Sequence, residues 1–196
     1  LWTLGLTALA VSTLAAAGGP ALPIEYELLY VFLFLIPGTI CLVRAVEIAE
    51  QRLTWAAFGV GMWCFGAGSA YWYLALEAMQ SPPYPSGGDA LWLGYYVGAL
   101  VGIVALVRSS LTQSRRKVWM DLLVGALGLA SAAAALLLHP ISHRTGGDLA
   151  SVATNLAYPL IGALIVSLIV GVFIVHGGRP GRIWVVLGVV WILQIA

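Results

Sequence analysis

The sequence predicts an all-α integral membrane protein, a polytopic bundle of about seven transmembrane helices with its amino terminus in the cytoplasm. Three observations lead there. Of 196 residues, 61% are hydrophobic and 9% charged, and mean hydropathy is +0.98, whereas a soluble domain carries about 25% charged residues. The apolar residues come in long runs, and a helix crosses a bilayer with about 20 of them. The basic residues then alternate between loops, which gives each run a direction. Strands are not expected, because the runs are continuous and too long for barrel strands. A formal net charge of +1 gives no ground for nucleic-acid binding, and the lipid bilayer is the expected partner.

Taken in order, the spans run roughly 1–17, 28–46, 55–79, 89–107, 118–139, 152–176 and 182–196, within one domain covering 1–196. The first has a second reading, because Ala15, Ala16 and Ala17 after an apolar stretch resemble a signal-peptide cleavage region. The second contains Pro37, an expected kink. Arg44 and Arg52 follow the second span. Arg108, Arg115, Arg116 and Lys117 separate the fourth from the fifth, and Arg179 and Arg182 separate the sixth from the seventh. Eight of the nine Lys and Arg residues therefore share one side, with Arg144 opposite. The positive-inside rule puts the eight in the cytoplasm. Glu25, Glu27, Glu77, Asp89 and Asp148 then face outside. The chain begins at Leu1 and stops at Ala196 inside an apolar run. It reads as a trimmed part of something longer, and an eighth helix is expected beyond it.

A weak internal repeat runs through the spans. Those starting inside open with a basic residue and a tryptophan, as in Arg52 and Trp55, Lys117 and Trp119, and Arg182 and Trp184; a glycine follows at Gly59, Gly125 and Gly188. Tyr84-Pro85 and Tyr158-Pro159 mark two segments on the outer side. Duplicated helical hairpins would give this pattern, and so would ordinary enrichment of Trp and basic residues at an interface.

Pro85 to Asp89 is the sharpest local motif. Ser86 and Asp89 have the spacing of a capping box, able to satisfy amide protons at the start of the fourth span. Asp89 could equally line an outward-facing pocket. Gly94, Gly98 and Gly102 form a small-residue stripe that lets a neighbouring helix approach closely, in the same chain or in a second protomer. Gly59, Gly61, Gly66 and Gly68 make the third span similarly slim. Aromatic residues gather near the outer ends of three spans: Tyr71, Trp72, Tyr73, Trp92, Tyr95, Tyr96 and Tyr158, with Glu77, Asp89 and Asn155 beside them. An interfacial belt explains such a set. So does a pocket for a cationic, amphipathic or lipid ligand, whose candidate residues are Tyr71, Trp72, Glu77, Asp89, Trp92, Tyr95, Tyr96, Asn155 and Tyr158.

Other features point away from chemistry. Asp121 lies four residues after Lys117 and is read as an ion pair near the cytoplasmic edge. His139, His143 and Asp148 make a poor metal set because Pro140 interrupts the helical spacing, and His139 and His176 lie at opposite faces, unsuited to a shared haem. No metal or cofactor is expected. Cys41 and Cys64 fall inside apolar runs and read as packing residues. The only lysine is in a loop, so a retinal Schiff base has no anchor. Phosphate loops and nucleophile triads are absent, and catalysis within these residues is not expected.

The order of motifs resembles the multi-helix membrane sensor at the amino end of some bacterial, especially actinobacterial, diguanylate cyclases and cyclic-di-GMP phosphodiesterases. The resembling stretches are Arg52 to Gly59, Tyr84 to Tyr96, Trp119 to Leu123 and Ala157 to Leu160, within about Arg52 to Ala196. One departure is Leu160-Ile161-Gly162, where the family pattern carries an acid after the second Tyr-Pro. The resemblance implies a sensory input domain in the bacterial plasma membrane. That domain would form a homodimer and regulate cytoplasmic GGDEF and EAL domains whose motifs this chain does not contain. An accessory subunit of a larger membrane complex, or a small transporter or lipid-binding protein, are the rival expectations.

Overall fold

The computed structural model describes residues 24–110, eight positions between 124 and 136, and residues 148–175 and 181–195. Among these, five helices are complete enough to bound: α1 (Ile24–Glu47), α2 (Arg52–Tyr71), α3 (Gly87–Ser110), α4 (Leu149–Val175) and α5 (Arg182–Ile195). The described positions between 124 and 136 are also helical. The chain divides into two compact units, residues 1–98 and 99–196, with the boundary inside α3.

In the first unit α1 and α2 form an antiparallel hairpin. Ile48 N–H closes α1 on the Arg44 carbonyl, and a short 3₁₀ turn, Ala49–Gln51, leads into α2. The corner is clamped by side chains that the basic-plus-tryptophan motif supplies. The Arg44 guanidinium lies 4.8 Å above the Trp55 ring, Arg52 Nε donates to the Ala45 carbonyl at 3.3 Å, and Trp55 Nε1 donates to Gln51 Oε1 at 3.0 Å. Pro37 sits inside α1, and Thr39 Oγ1 donates back to the Leu35 carbonyl at 2.8 Å.

Glycine sets how close the helices come. A Cβ added to Gly59 would lie 2.9 Å from the Gly38 carbonyl oxygen of α1, so these two backbones touch directly. On the other side of α2, a Cβ on Gly98 of α3 would lie 2.7 Å from the Ala57 carbonyl oxygen and 2.8 Å from Gly61 Cα. Small residues allow such approach where larger ones would hold the helices apart. α2 is therefore packed by glycine on both flanks. In the second unit α5 packs on α4, with Gly188 facing Ile169 and Phe173, and the core includes Ile165, Leu168, Val172, Trp184 and Trp191.

The expectation of about seven membrane helices is corrected here. Among the described residues, three helices are long and apolar enough to cross a membrane: Glu27–Glu47, Gly87–Ser109 and Leu149–Phe173. The third expected span, 55–79, differs for two reasons. α2 gives way at Tyr71 to a π turn, Trp72–Leu76, and Gly59, Gly61, Gly66, Gly68 and its tryptophans dilute its hydropathy. The seventh, 182–196, is described as α5 over 14 residues. The span at 1–17 and most of that at 118–139 lie outside the described residues. The cytoplasmic amino terminus rested on counting all seven, and it falls with the count.

Candidate functional site

Seven of the nine candidate pocket residues belong to the first unit, at the end where α2 stops and α1 and α3 begin. The π turn shapes this end. Glu77 N–H reaches back to the Trp72 carbonyl at 3.0 Å, so the last turn of α2 is one residue wider than an α-helical one. Such wide turns recur at functional sites in proteins. Leu76 is buried by it, while Tyr71, Leu74 and Glu77 are exposed. Ten residues further on, Ser86 and Asp89 start α3. Asp89 Oδ2 accepts from Ser86 N–H at 2.8 Å and from Ser86 Oγ at 2.9 Å, and both residues are buried. The carboxylate thus works as the N3 half of a capping box. The serine hydroxyl departs from the usual pattern by donating to the acid. The Tyr84–Pro85 peptide just before it is cis.

The aromatic residues separate into two groups. Trp72 and Trp92 lie with ring centroids 6.0 Å apart, and Trp92 Nε1 donates to Ser69 Oγ at 3.3 Å. Gly68 exists to admit this tryptophan, since a Cβ there would come within 3.0 Å of the Trp92 ring. The second group is a continuous chain across three helices. Phe34 of α1 stacks on Phe65 of α2 at 4.2 Å, Phe65 meets Tyr95 of α3 edge-on at 5.2 Å, and Tyr95 meets Tyr96 at 5.5 Å. Tyr30 completes it, 5.4 Å from Phe34 and 6.2 Å from Phe65. Offset and edge-on ring pairs of this kind add packing energy beyond the area they bury. Tyr95 is buried at its centre, and Tyr96 is half-buried.

Sequence reasoning missed Tyr30, Phe34 and Phe65. Tyr30 and Phe34 are four apart and share a helix face, which was the available signal. The grouping of aromatics by outer helix ends passed over the helix carrying them. Asn155 and Tyr158 belong to the second unit, both half-buried on α4, one turn before and immediately before Pro159. Of the glycine stripe, Gly98 faces Gly61 and Gly94 faces Cys64, both in α2 of the same chain, and Gly102 is buried. Cys41 and Cys64 are free thiols, each half-buried. His139, His143, His176, Lys117 and Asp121 lie outside the described residues.

Electrostatics at this end are acidic. Burial raises the Tyr73 phenol above its ordinary value, and the nearby negative charges of Glu27 and then Glu77 raise it further. Tyr84 is raised by burial and by Asp89. The arginines of the unit's described residues, Arg44 and Arg52, are at the opposite end with Glu47 and Glu50. Between Glu27 and Arg44, and again between Arg52 and Glu77, the sequence carries no charged residue.

Compared with known proteins, the chain matches no family model, no curated protein sequence and no solved structure.

Proposed function

We propose that the chain is a multi-pass domain of a bacterial plasma membrane and serves as the sensory input region of a cyclic-di-GMP signalling protein. One observation carries the membrane half. In the first unit, charge-free helix lengths separate an end that holds Glu27, Glu77 and Asp89 from an end that holds Arg44 and Arg52 together with Glu47 and Glu50. Along α1 the exposed side chains Leu28, Phe32, Ile36, Ile40 and Val43 make one apolar stripe, as a lipid-facing helix requires. The arginine end faces the cytoplasm under the positive-inside rule. The signalling half is supported by the motif resemblance alone: Arg52 to Gly59, Tyr84 to Tyr96, Trp119 to Leu123 and Ala157 to Leu160.

In this reading, a small amphipathic or lipid ligand meets the protein at the acidic end. Asp89 is committed to its cap, so Tyr71 and Glu77 make first contact, with Trp72, Trp92, Tyr95 and Tyr96 behind them. Asn155 and Tyr158 remain candidates on α4. The ligand acts by binding one arrangement of the helices more tightly than another, and a homodimer carries the difference to cytoplasmic catalytic domains. Two measurements test the two halves. Glu25→Cys and Glu50→Cys, on either side of the apolar length of α1, should react with an impermeant maleimide from opposite faces of sealed vesicles; reaction of both from one face overturns the membrane half. The coding sequence after Ala196 decides the other. A further helix followed by Gly-Gly-Asp-Glu-Phe supports the input domain, and an early stop codon overturns it.

A further inference from the structure

The exposed apolar residues at the acidic end are not scattered. Tyr71 ends α2, and Leu74, Met79 and Tyr84 stand on the segment that follows it to α3; each is exposed, Leu74 to 74% and Tyr84 to 48%. The π turn sets this arrangement: it keeps Leu76 at 2% exposure, and Leu74, two residues earlier, faces outward. From Leu74 to Tyr84 the only charged residue is Glu77.

The level of this surface is fixed by its neighbours. A Cβ on Gly87, the first residue of α3, would lie 3.4 Å from the Tyr71 ring, and one on Gly88 would lie 3.7 Å from the Gly68 carbonyl oxygen. Tyr30, near the start of α1, reaches Phe65 of α2. The apolar lengths of α1 and α3 begin at Glu27 and Gly87. The connecting segment therefore lies where those two helices leave the hydrocarbon. Tyrosine, with an apolar ring and a polar tip, collects at that depth in membranes.

We infer that Tyr71, Leu74, Met79 and Tyr84 form an interfacial anchor that seats the α2–α3 connection in the phospholipid headgroup layer. This rests on the membrane reading above and adds a partner to a specific surface. The aromatic residues thereby divide by role. Tyr71 and Tyr84 contact lipid headgroups, whereas Tyr95, Trp92 and their neighbours hold the helices together. Lipid, rather than a protein, is the occupant because the patch is level with the ends of the apolar lengths of α1 and α3.

Spin labels at Leu74→Cys, Tyr84→Cys and Ile36→Cys, in a Cys41→Ala/Cys64→Ala background of the full chain in phosphatidylcholine vesicles, test this. Relative accessibility to oxygen and to a water-soluble nickel chelate gives depth. The expected result is a deep position for Ile36 and headgroup-level positions for Leu74 and Tyr84. A deep Ile36 with Leu74 and Tyr84 as open to the chelate as a water-borne loop overturns the anchor and leaves the membrane reading standing. An Ile36 open to the chelate overturns both. Dipolar broadening at Leu74 and Tyr84 overturns the lipid assignment in favour of a second copy. Should the cysteine-free background fail to fold, Met79 in the unaltered chain provides the readout. Its oxidation by aqueous peroxide should be several-fold slower in vesicles than in the denatured chain, and equal rates overturn the anchor.

Discussion

Asp89 and Gly98 show how much a single position decides in this chain. Asp89 accepts both polar hydrogens of Ser86 in a buried setting. Asp89→Ala leaves a backbone amide and a hydroxyl short of their acceptor, and should lower stability by about 1 kcal/mol. Thermal unfolding in detergent, followed by tryptophan fluorescence, measures it. Gly98 has the opposite character, since its contribution is the absence of a side chain. Gly98→Ala would put a methyl 2.7 Å from a backbone oxygen, and should cost about 1–3 kcal/mol as an overpacked contact. Gly94→Ala, whose Cβ meets Cys64 at 3.2 Å, should cost less, and Gly125→Ala, with nothing among the described residues within 4 Å, should be close to neutral. Equal losses at Gly98 and Gly125 would contradict the packing described. The Ser86–Asp89 cap was legible in the sequence because its partners are three residues apart. The roles of Phe34 and Phe65 were not, because they depend on which helices lie side by side.

At the scale of elements, the corners and caps carry the predictions. Asp148 precedes α4 and accepts from Ser151 N–H at 3.0 Å, which with the Ser151 side chain and Ala150 N–H holds its carboxyl below the ordinary carboxylate range. A lowered value in the folded state means that the cap stabilises the protein at pH above the ordinary carboxylate range. The contribution fades as pH falls through that range and then through the lowered folded value. Asp148→Asn should flatten this acid limb of stability against pH and leave the neutral region nearly unmoved, apart from its weaker cap. Parallel acid limbs in the two proteins would count against the cap. At the α1–α2 corner, Arg44→Ala removes a guanidinium from the Trp55 face and should cost about 0.5–1 kcal/mol, as exposed cation–π pairs do. Arg44→Lys should recover part of it in the same unfolding measurement. Helix existence was readable from the long apolar runs. The wide turn at Trp72–Leu76 and the dilution of α2 by glycine were not legible, because both lie inside a stretch with no charged residue to interrupt it.

At the scale of the molecule, two compact units and, among the described residues, three helices of sufficient length and apolarity replace the expected bundle of about seven. Proteolysis of the chain in sealed vesicles should leave protected fragments containing 27–47, 87–109 and 149–173. Cleavage within any of these would remove that helix from the membrane. The count failed at this scale because hydropathy registers how apolar a segment is and not what covers it. α2 owes its modest hydropathy to the glycines that α1 and α3 cover. The acidic and arginine-bearing ends of the first unit were legible from the order of charges along the chain, since a helical hairpin brings those positions to common levels.

The glycine seams of α2 also invert the usual map of mutational tolerance. In a water-soluble core the large apolar side chains are the least replaceable positions. Here Phe32, Ile36, Val60 and Val97 are exposed, and any apolar residue of similar bulk should serve in their place. Gly61 and Gly98 have no easy substitute, because their nearest neighbours are backbone atoms that cannot turn aside, and Gly59 meets the Gly38 carbonyl oxygen as well as the Leu42 side chain. A library of variants selected for folding would therefore keep the smallest residues fixed and let the largest drift. Over evolutionary time, the chain's pattern of glycines should outlast its pattern of hydrophobic side chains.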